Sequence, residues 1–244
     1  MPTLAQYFSG YRSLLDGKAD GQKPGIADFF QHLKKDLPKL QEQVRKQERL
    51  LAPHYNIFQA LQIDRRETVL HTPMLAHLLD PTASHGQEYL FLLEFLKVAH
   101  ANRNVPVPLG AIELAEWTVR TDVYVGDGSI DLLIECPALK YMLVIENKVD
   151  ALERHLQLWD YYQWMEKHRL TYFPRPLVFL TPTGRKPESH KNALCFVMSY
   201  RQDIREFLNR TLNRIKPPRV RELVRQYLAI LDQWALEETD EESE

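Results

Sequence analysis

Two largely apolar runs, Ile130–Cys136 and Tyr141–Val149, lie four residues apart, and each carries charge: Asp131 near the start of the first and Glu146 and Lys148 near the end of the second. Apolar runs of this length, bounded by turn residues, read as strands. Strand side chains alternate between faces, so Glu146 and Lys148 share one face while Ile145 and Asn147 share the other. With Pro137–Lys140 as a four-residue hairpin loop, Cys136 falls opposite Tyr141, and counting back along both strands puts Asp131 opposite Glu146. Directly paired residues bring their Cβ atoms to about 4.5–5.5 Å, where like charges repel. A half-buried hairpin of this kind needs a cation between its carboxylates. Oxygen ligands suit Mg²⁺, with Mn²⁺ as the expected substitute. Lys148 is not expected to be that cation alone, because an ammonium bridging both acids cannot also reach past them.

Helical patterns surround the hairpin. Residues 1–52 form a charged helical extension in which Leu33, Leu37, Leu40 and Val44 recur on one helix face, and Pro38 implies two helices or a kink. Such a face packs within the chain, or it mediates a homodimer or a partner protein. Residues 53–236 read as the main domain. Asn56–Ile63 is a short helix, Thr72-Pro73 reads as a cap followed by proline at the first helical position, and that helix stops near Asp80-Pro81. A further helix spans Gln87–His100. Thr118–Val125 alternates as a strand and leads into the turn Gly126-Asp127-Gly128. A helix over Leu152–His168, strands over Pro176–Thr181 and Leu194–Tyr200, and helices over Gln202–Arg214 and Pro218–Leu236 complete the order. That succession predicts an α/β protein with a mixed sheet flanked by helices.

Charge is unevenly distributed. Six of the last eight residues, Glu237 to Glu244, are acidic, so removing them takes the net charge from -2 to -2 + 6 = +4. The body is mildly basic, and residues 237–244 read as an acidic disordered tail. Cys136 and Cys195 lie in strand-like runs and read as buried thiols of a reducing compartment. No apolar stretch approaches the roughly 20 residues a bilayer span requires. The first residues lack the basic-then-apolar pattern of a signal peptide. The expectation is a cytoplasmic protein with no membrane partner.

Phosphodiester hydrolysis needs a polarised phosphoryl oxygen, an activated water and neutralisation of the leaving oxygen, and carboxylate-held metal ions supply all three. A lysine one strand-step from a metal ligand can orient the water or neutralise developing charge. The aspartate, the hairpin and the following Glu146-Asn147-Lys148 resemble the motif of PD-(D/E)XK nucleases. Asn56-Ile57-Phe58, Glu67, His71 to Pro81, His85-Gly86, Phe91 to Leu96, Gln157-Leu158 and Tyr161 resemble one bacterial branch of that superfamily, over roughly residues 55–200. The resemblance implies a restriction-endonuclease-like three-layer α/β/α core with a central mixed sheet. It implies Asp131 and Glu146 as ligands of Mg²⁺, Glu67 completing the metal site, Lys148 as the catalytic lysine, and Gln157 and Tyr161 on a helix lining the substrate cleft. It further implies nucleic acid as substrate, DNA ahead of RNA, and phage defence as a setting. One departure is Thr72, where branch members often carry serine; both residues cap helices.

Each accessory residue also has a plainer reading. Glu67 serves a turn, His71 packs beside a cap, His85-Gly86 is a helix-to-helix turn, and Gln157 and Tyr161 only share a helix face. Arg214, Lys216, Arg219, Arg221 and Arg225 track phosphates or form a solvated helix face. The rival from another class is a catalytically idle copy of the fold that binds nucleic acid or a protein. A carboxylate-pair glycosidase is disfavoured by Lys148 beside the acids and by the lack of an aromatic sugar platform near them.

Overall fold

The structure, a computed structural model, describes residues 26–52, 55–126, 128–168 and 170–241. Residues 1–25 of the expected N-terminal helices, Asp127 of the glycine turn and residues 242–244 of the acidic tail lie outside the described residues. The chain divides into two compact units, residues 1–55 and 56–244. In the first, α1 (Ile26–Leu51) is one helix containing Pro38, so of the two expected outcomes, two helices or a kink, separate helices do not form. Proline removes a single N–H, and the flanking Lys, Leu, Gln and Glu residues are strong helix formers that carry the helix past that loss. Leu37 and Val44 are exposed on it.

The second unit is built on five strands, β1 (Thr118–Tyr124), β2 (Ser129–Cys136), β3 (Tyr141–Asn147), β4 (Leu177–Thr181) and β5 (Cys195–Ser199), adjacent in that order. The first three form an antiparallel meander, and β4 and β5 run parallel to β3. The hairpin register is the one counted from the loop: Cys136 pairs with Tyr141 and Leu132 with Ile145, so the next step outward sets Asp131 against Glu146.

Helices cover both faces of the sheet. On one, Leu133, Met142, Val144, Leu177 and Phe179 meet Leu158, Tyr161 and Met165 of α5 (Gln157–Lys167). On the other, Leu132, Ile134, Leu143, Ile145, Val178 and Leu180 join a larger core with α2 (Ile57–Ala60), α3 (Thr72–Leu79), α4 (Leu90–Arg103), α6 (Arg205–Leu212) and α7 (Pro218–Glu241). Covered on both sides, β3 and β4 are buried throughout, which is why they read as continuous apolar runs. The result is the three-layer α/β/α core with a central mixed sheet. No helix among the described residues is long and apolar enough to cross a membrane. Cys136 is buried and Cys195 half-buried, both as free thiols.

Three local readings change. Thr72 is not an N-cap: a π-turn, Glu67–His71, precedes α3 without interruption, and the Thr72 N–H donates to the Glu67 carbonyl. The Thr72 hydroxyl instead accepts the Asn147 amide at 2.9 Å. The helix expected from Leu152 starts at Gln157, because Glu153 is engaged elsewhere. Its carboxylate accepts the Ser189 hydroxyl at 2.6 Å and the Arg185 guanidinium at 2.6 Å, tying this segment to the β4–β5 loop. The acidic tail is helical as far as Glu241, since glutamate and alanine propagate an existing helix.

Two histidines settle into their plainer roles. The His85 ring closes a turn by accepting the Gln87 N–H, and Gly86 there has a φ of 63°. His71 is wholly buried, its Nε2 2.9 Å from the Asp64 carbonyl and its Nδ1 2.8 Å from the Tyr227 hydroxyl. A carbonyl only accepts, so Nε2 carries the proton and Nδ1 accepts from Tyr227. Burial holds this imidazole down at about 4, against a contact with Asp64 that works the other way. Unfolding below pH 6.5 therefore takes up a proton, and stability falls as pH drops from 6.5 towards 4. The loss is on the order of 3 kcal/mol. Denaturant melts at pH 7 and pH 4.5 should show His71→Gln losing that much less than the parent. Equal losses would mean that His71 is already protonated in the folded state.

Candidate active site

The carboxyl end of β3 lies mid-sheet, with β2 on one side and β4 on the other. Period-two alternation sends Glu146 and Lys148 towards the α5 side of the sheet and Asn147 towards the larger core. Glu146 is fully buried, and the Lys148 ammonium lies 2.6 Å from its Oε1. The same ammonium is 3.8 Å from Asp131 Oδ2 and 3.4 Å from Glu67 Oε1. Glu67 thus reaches the site from the π-turn that precedes α3, far away in sequence. Its Oε2 accepts the Val149 N–H at 2.7 Å, while Asp131 Oδ2 accepts the Asn147 N–H at 2.8 Å.

Gln157, the first residue of α5, donates its amide to Glu146 Oε1 at 2.6 Å and to the Tyr161 hydroxyl at 2.9 Å. Tyr161 in turn donates to the Ser129 carbonyl at 2.6 Å and is fully buried. The Tyr161 hydroxyl is committed to Ser129 and Gln157, so it stands behind Gln157 and fixes its amide. The structure therefore gathers Asp131, Glu146, Lys148, Glu67 and Gln157, with Tyr161 one contact further back.

All three carboxylates surround one ammonium, which touches Glu146 and Glu67 and approaches Asp131. Three acids and one lysine still leave a deficit of positive charge. Burial, and then the Asp131 charge, push the Glu146 carboxyl up to about 8. Burial likewise raises Asp131, although Lys148 and the Asn147 N–H oppose it. For Lys148, burial alone would favour the neutral amine, but Glu146 and Asp131 outweigh it and hold the ammonium more firmly charged than usual.

One atom shows where the deficit lies. Glu146 Oε2 is buried and has no hydrogen-bond donor. A proton shared with Asp131 satisfies it, or a cation does. Among the described residues, no three histidine, cysteine or acidic side chains converge as a ready-made metal cage. The donor chemistry nevertheless fits a hard divalent ion: two facing carboxyls, oxygen donors only, and one oxygen without a partner.

Sequence reasoning missed Asn147. Its amide donates to Thr72 and its carbonyl oxygen accepts the Tyr200 hydroxyl at 3.0 Å, both across the larger core. The available signal was an amide side chain facing inward from an apolar strand. In the basic run near the C-terminus, Arg214 pairs with Glu94 at 2.6 Å and Arg221 donates to the Ile215 carbonyl, while Lys216, Arg219 and Arg225 are exposed.

A strand aspartate, a hairpin and a Glu-x-Lys on the next strand, set in a helix-covered mixed sheet, define a nuclease-like α/β site. The family model of the PD-(D/E)XK nuclease superfamily matches residues 55–229, which is well over half of the chain. The chain belongs to the PD-(D/E)XK nuclease superfamily. Members of that superfamily are generally nucleases or phosphodiesterases and typically use divalent metals. Neither the curated proteins nor the solved structures compared with the chain gave a match.

The raised Glu146 carboxyl has a measurable consequence. The folded state keeps a proton that the unfolded chain releases near its ordinary value of 4.5, so stability is full below that pH and is lost as pH rises towards about 8. In EDTA, wild type should melt lower at pH 8 than at pH 5 by a clear margin. Glu146→Gln, which keeps the shape without the titration, should lose less over that interval. Parallel pH profiles for the two proteins would show that Glu146 ionises at its usual value.

Proposed function

We propose that this protein is a metal-dependent nuclease that hydrolyses phosphodiester bonds of nucleic acid, with DNA as the favoured substrate. The observation that carries the reading is the meeting of Asp131, Glu146 and Lys148 on one sheet face, with a buried Glu146 oxygen left without a donor. Asp131 and Glu146 are the side chains that would hold Mg²⁺, with Mn²⁺ as its substitute, and Glu67 is the third candidate ligand. Such an ion supplies Lewis acidity and charge neutralisation at the phosphoryl group.

The remaining roles belong to the chain itself. Lys148, held charged by its acidic neighbours, donates a proton-bearing ammonium to the negative charge that grows on the phosphate in the transition state. An ammonium so stabilised is a poor general base, so its part is charge stabilisation and orientation of the attacking water. Gln157 holds Glu146 in place through its amide, and Tyr161 holds Gln157. DNA as the favoured polymer, and a cytoplasmic setting for Cys136 and Cys195 as free thiols, belong to the same proposal.

The test is direct: purified protein is incubated with plasmid, linear DNA and RNA, each with Mg²⁺, Mn²⁺ or EDTA. Cleavage is expected with either metal and absent in EDTA. Lys148→Ala should lower kcat by about 100-fold or more while nucleic-acid binding persists, the usual cost of removing one transition-state donor. A Lys148→Ala protein cutting at the wild-type rate removes the lysine from the mechanism. Binding without cleavage under every metal condition would place the chain among idle copies of the fold. A ligand that binds only the folded state stabilises it by roughly 2.7 kcal/mol at a hundredfold excess over Kd. Wild type should therefore melt higher with Mg²⁺ or Mn²⁺, and Asp131→Asn should gain much less.

A further inference from the structure

The site is assembled from two pieces with no covalent proximity: the β2–β3 hairpin, which carries Asp131, Glu146 and Lys148, and the π-turn, which carries Glu67. Something must hold these pieces in register, and the charged groups alone are a poor choice. Three mutually repelling carboxylates around one ammonium push the pieces apart as readily as they join them. The neutral hydrogen bonds on the other side of β3 have no such conflict.

Those bonds centre on Asn147, which is buried to 1 % exposure. Its Nδ2 donates to the Thr72 hydroxyl at 2.9 Å, and its Oδ1 accepts from Tyr200 at 3.0 Å. Thr72 is the first residue after the π-turn, so Asn147 pins the end of the turn directly. His71, the last residue of the turn, ties that same end to the segment before the turn, since its Nε2 donates to the Asp64 carbonyl, and its ring packs edge-on to Tyr200 at 5.3 Å. The carboxyl end of the π-turn is thus tied down in the core, while Glu67 at its other end reaches Lys148 and Val149. The Asn147 backbone completes the arrangement, because its N–H holds Asp131. One residue thus grips Asp131 with its main chain and the Glu67 turn with its side chain.

We propose that Asn147 is a positioning residue of the candidate active site, locking the strand end that bears Glu146 and Lys148 against the turn that presents Glu67. The description of the site as catalytic rests on the nuclease reading; the clamp itself does not. Asn147 touches no reacting group, and it acts by fixing the separation between Glu67 and the hairpin acids. Cutting the clamp at its far end leaves Asn147 and every charged residue in place. Thr72→Val keeps the shape of the side chain and removes the hydroxyl, whereas Thr72→Ser keeps the hydroxyl.

The amides of Asn147 and Val149 report on the site without any need for activity, since each donates to one of the carboxylates, Asp131 and Glu67. The Val144 amide, which donates to Pro176 within the sheet, is the internal reference. In hydrogen-exchange NMR of the full chain in EDTA, Thr72→Val should speed exchange at Asn147 and Val149 by about tenfold relative to Val144, the effect of one net hydrogen bond. Thr72→Ser should restore the wild-type rates. Uniform acceleration of all three amides, or none at Asn147 and Val149, overturns the proposal. Where wild type cleaves plasmid, Thr72→Val should also lower kcat by roughly tenfold with KM little changed, and Thr72→Ser should recover it. An unchanged kcat beside faster exchange overturns the positioning role as well. If wild type shows no cleavage with any metal, the nuclease reading fails by itself, and the exchange ratios alone decide the clamp.

Discussion

Two carboxyl groups set side by side beneath a helix repel each other, and burial strengthens the repulsion by removing the water that would screen it. The rest of this structure is arranged around that constraint. Positive potential arrives from three directions: the Lys148 ammonium 2.6 Å from Glu146, the Asn147 and Val149 N–H groups on Asp131 and Glu67, and the Gln157 amide at the N-terminus of α5. The N-terminus of a helix carries partial positive charge of its own, so α5 approaches the acids with its favourable end. Together these groups still fall short, and the donorless Glu146 oxygen marks the shortfall. A proton held between the two carboxyls, or a cation, makes up that shortfall.

The placement of this charge depends on the strictness of strand alternation. A slip of one residue would turn Glu146 and Lys148 into the apolar core and bring Asn147 out in their place. The two faces of β3 prevent that slip in different ways. Met142, Val144 and the α5 residues Leu158 and Met165 hold one side by burial, and Asn147 holds the other by directed bonds to Thr72 and Tyr200. Apolar packing tolerates small displacements, whereas a hydrogen-bonded amide between two fixed partners tolerates few. The residue between the two charged side chains is therefore the one whose partners set their height along the sheet.

The hairpin was legible from sequence because both its determinants are local: a period of two and a loop of four residues. Asp131 opposite Glu146 follows from counting, and the fold class follows from the succession of elements. What escaped was non-local. Thr72 followed by Pro73 is a good cap signal, yet nothing nearby indicates that Asn147, 75 residues on, takes the hydroxyl and that the helix continues backwards as a π-turn. Glu153 sits in a helix-forming stretch, but a serine 36 residues away recruits its carboxylate and delays α5 to Gln157. His71 was undecided for the same reason, since its burial against Tyr227 depends on the last helix of the chain. The depth of Tyr161 was not legible, because it depends on Ser129 across the layer.

The pattern of these misses says something about how the site is built. The three motif residues lie in the hairpin, which a short segment can specify by itself. Near the site, the local readings that differ concern groups that tie elements together: Thr72 beside the Glu67 turn and Glu153 before the start of α5. The hairpin supplies Asp131, Glu146 and Lys148, but the separation between these groups and Glu67 or Gln157 is a property of the whole α/β/α stack. A chain that kept the three motif residues and lost the core contacts behind them would retain the signature and lose the geometry. Motif retention therefore argues for nuclease chemistry only in company with the buried bonds of Asn147, Thr72 and Tyr200, which hold the two halves of the site at one distance.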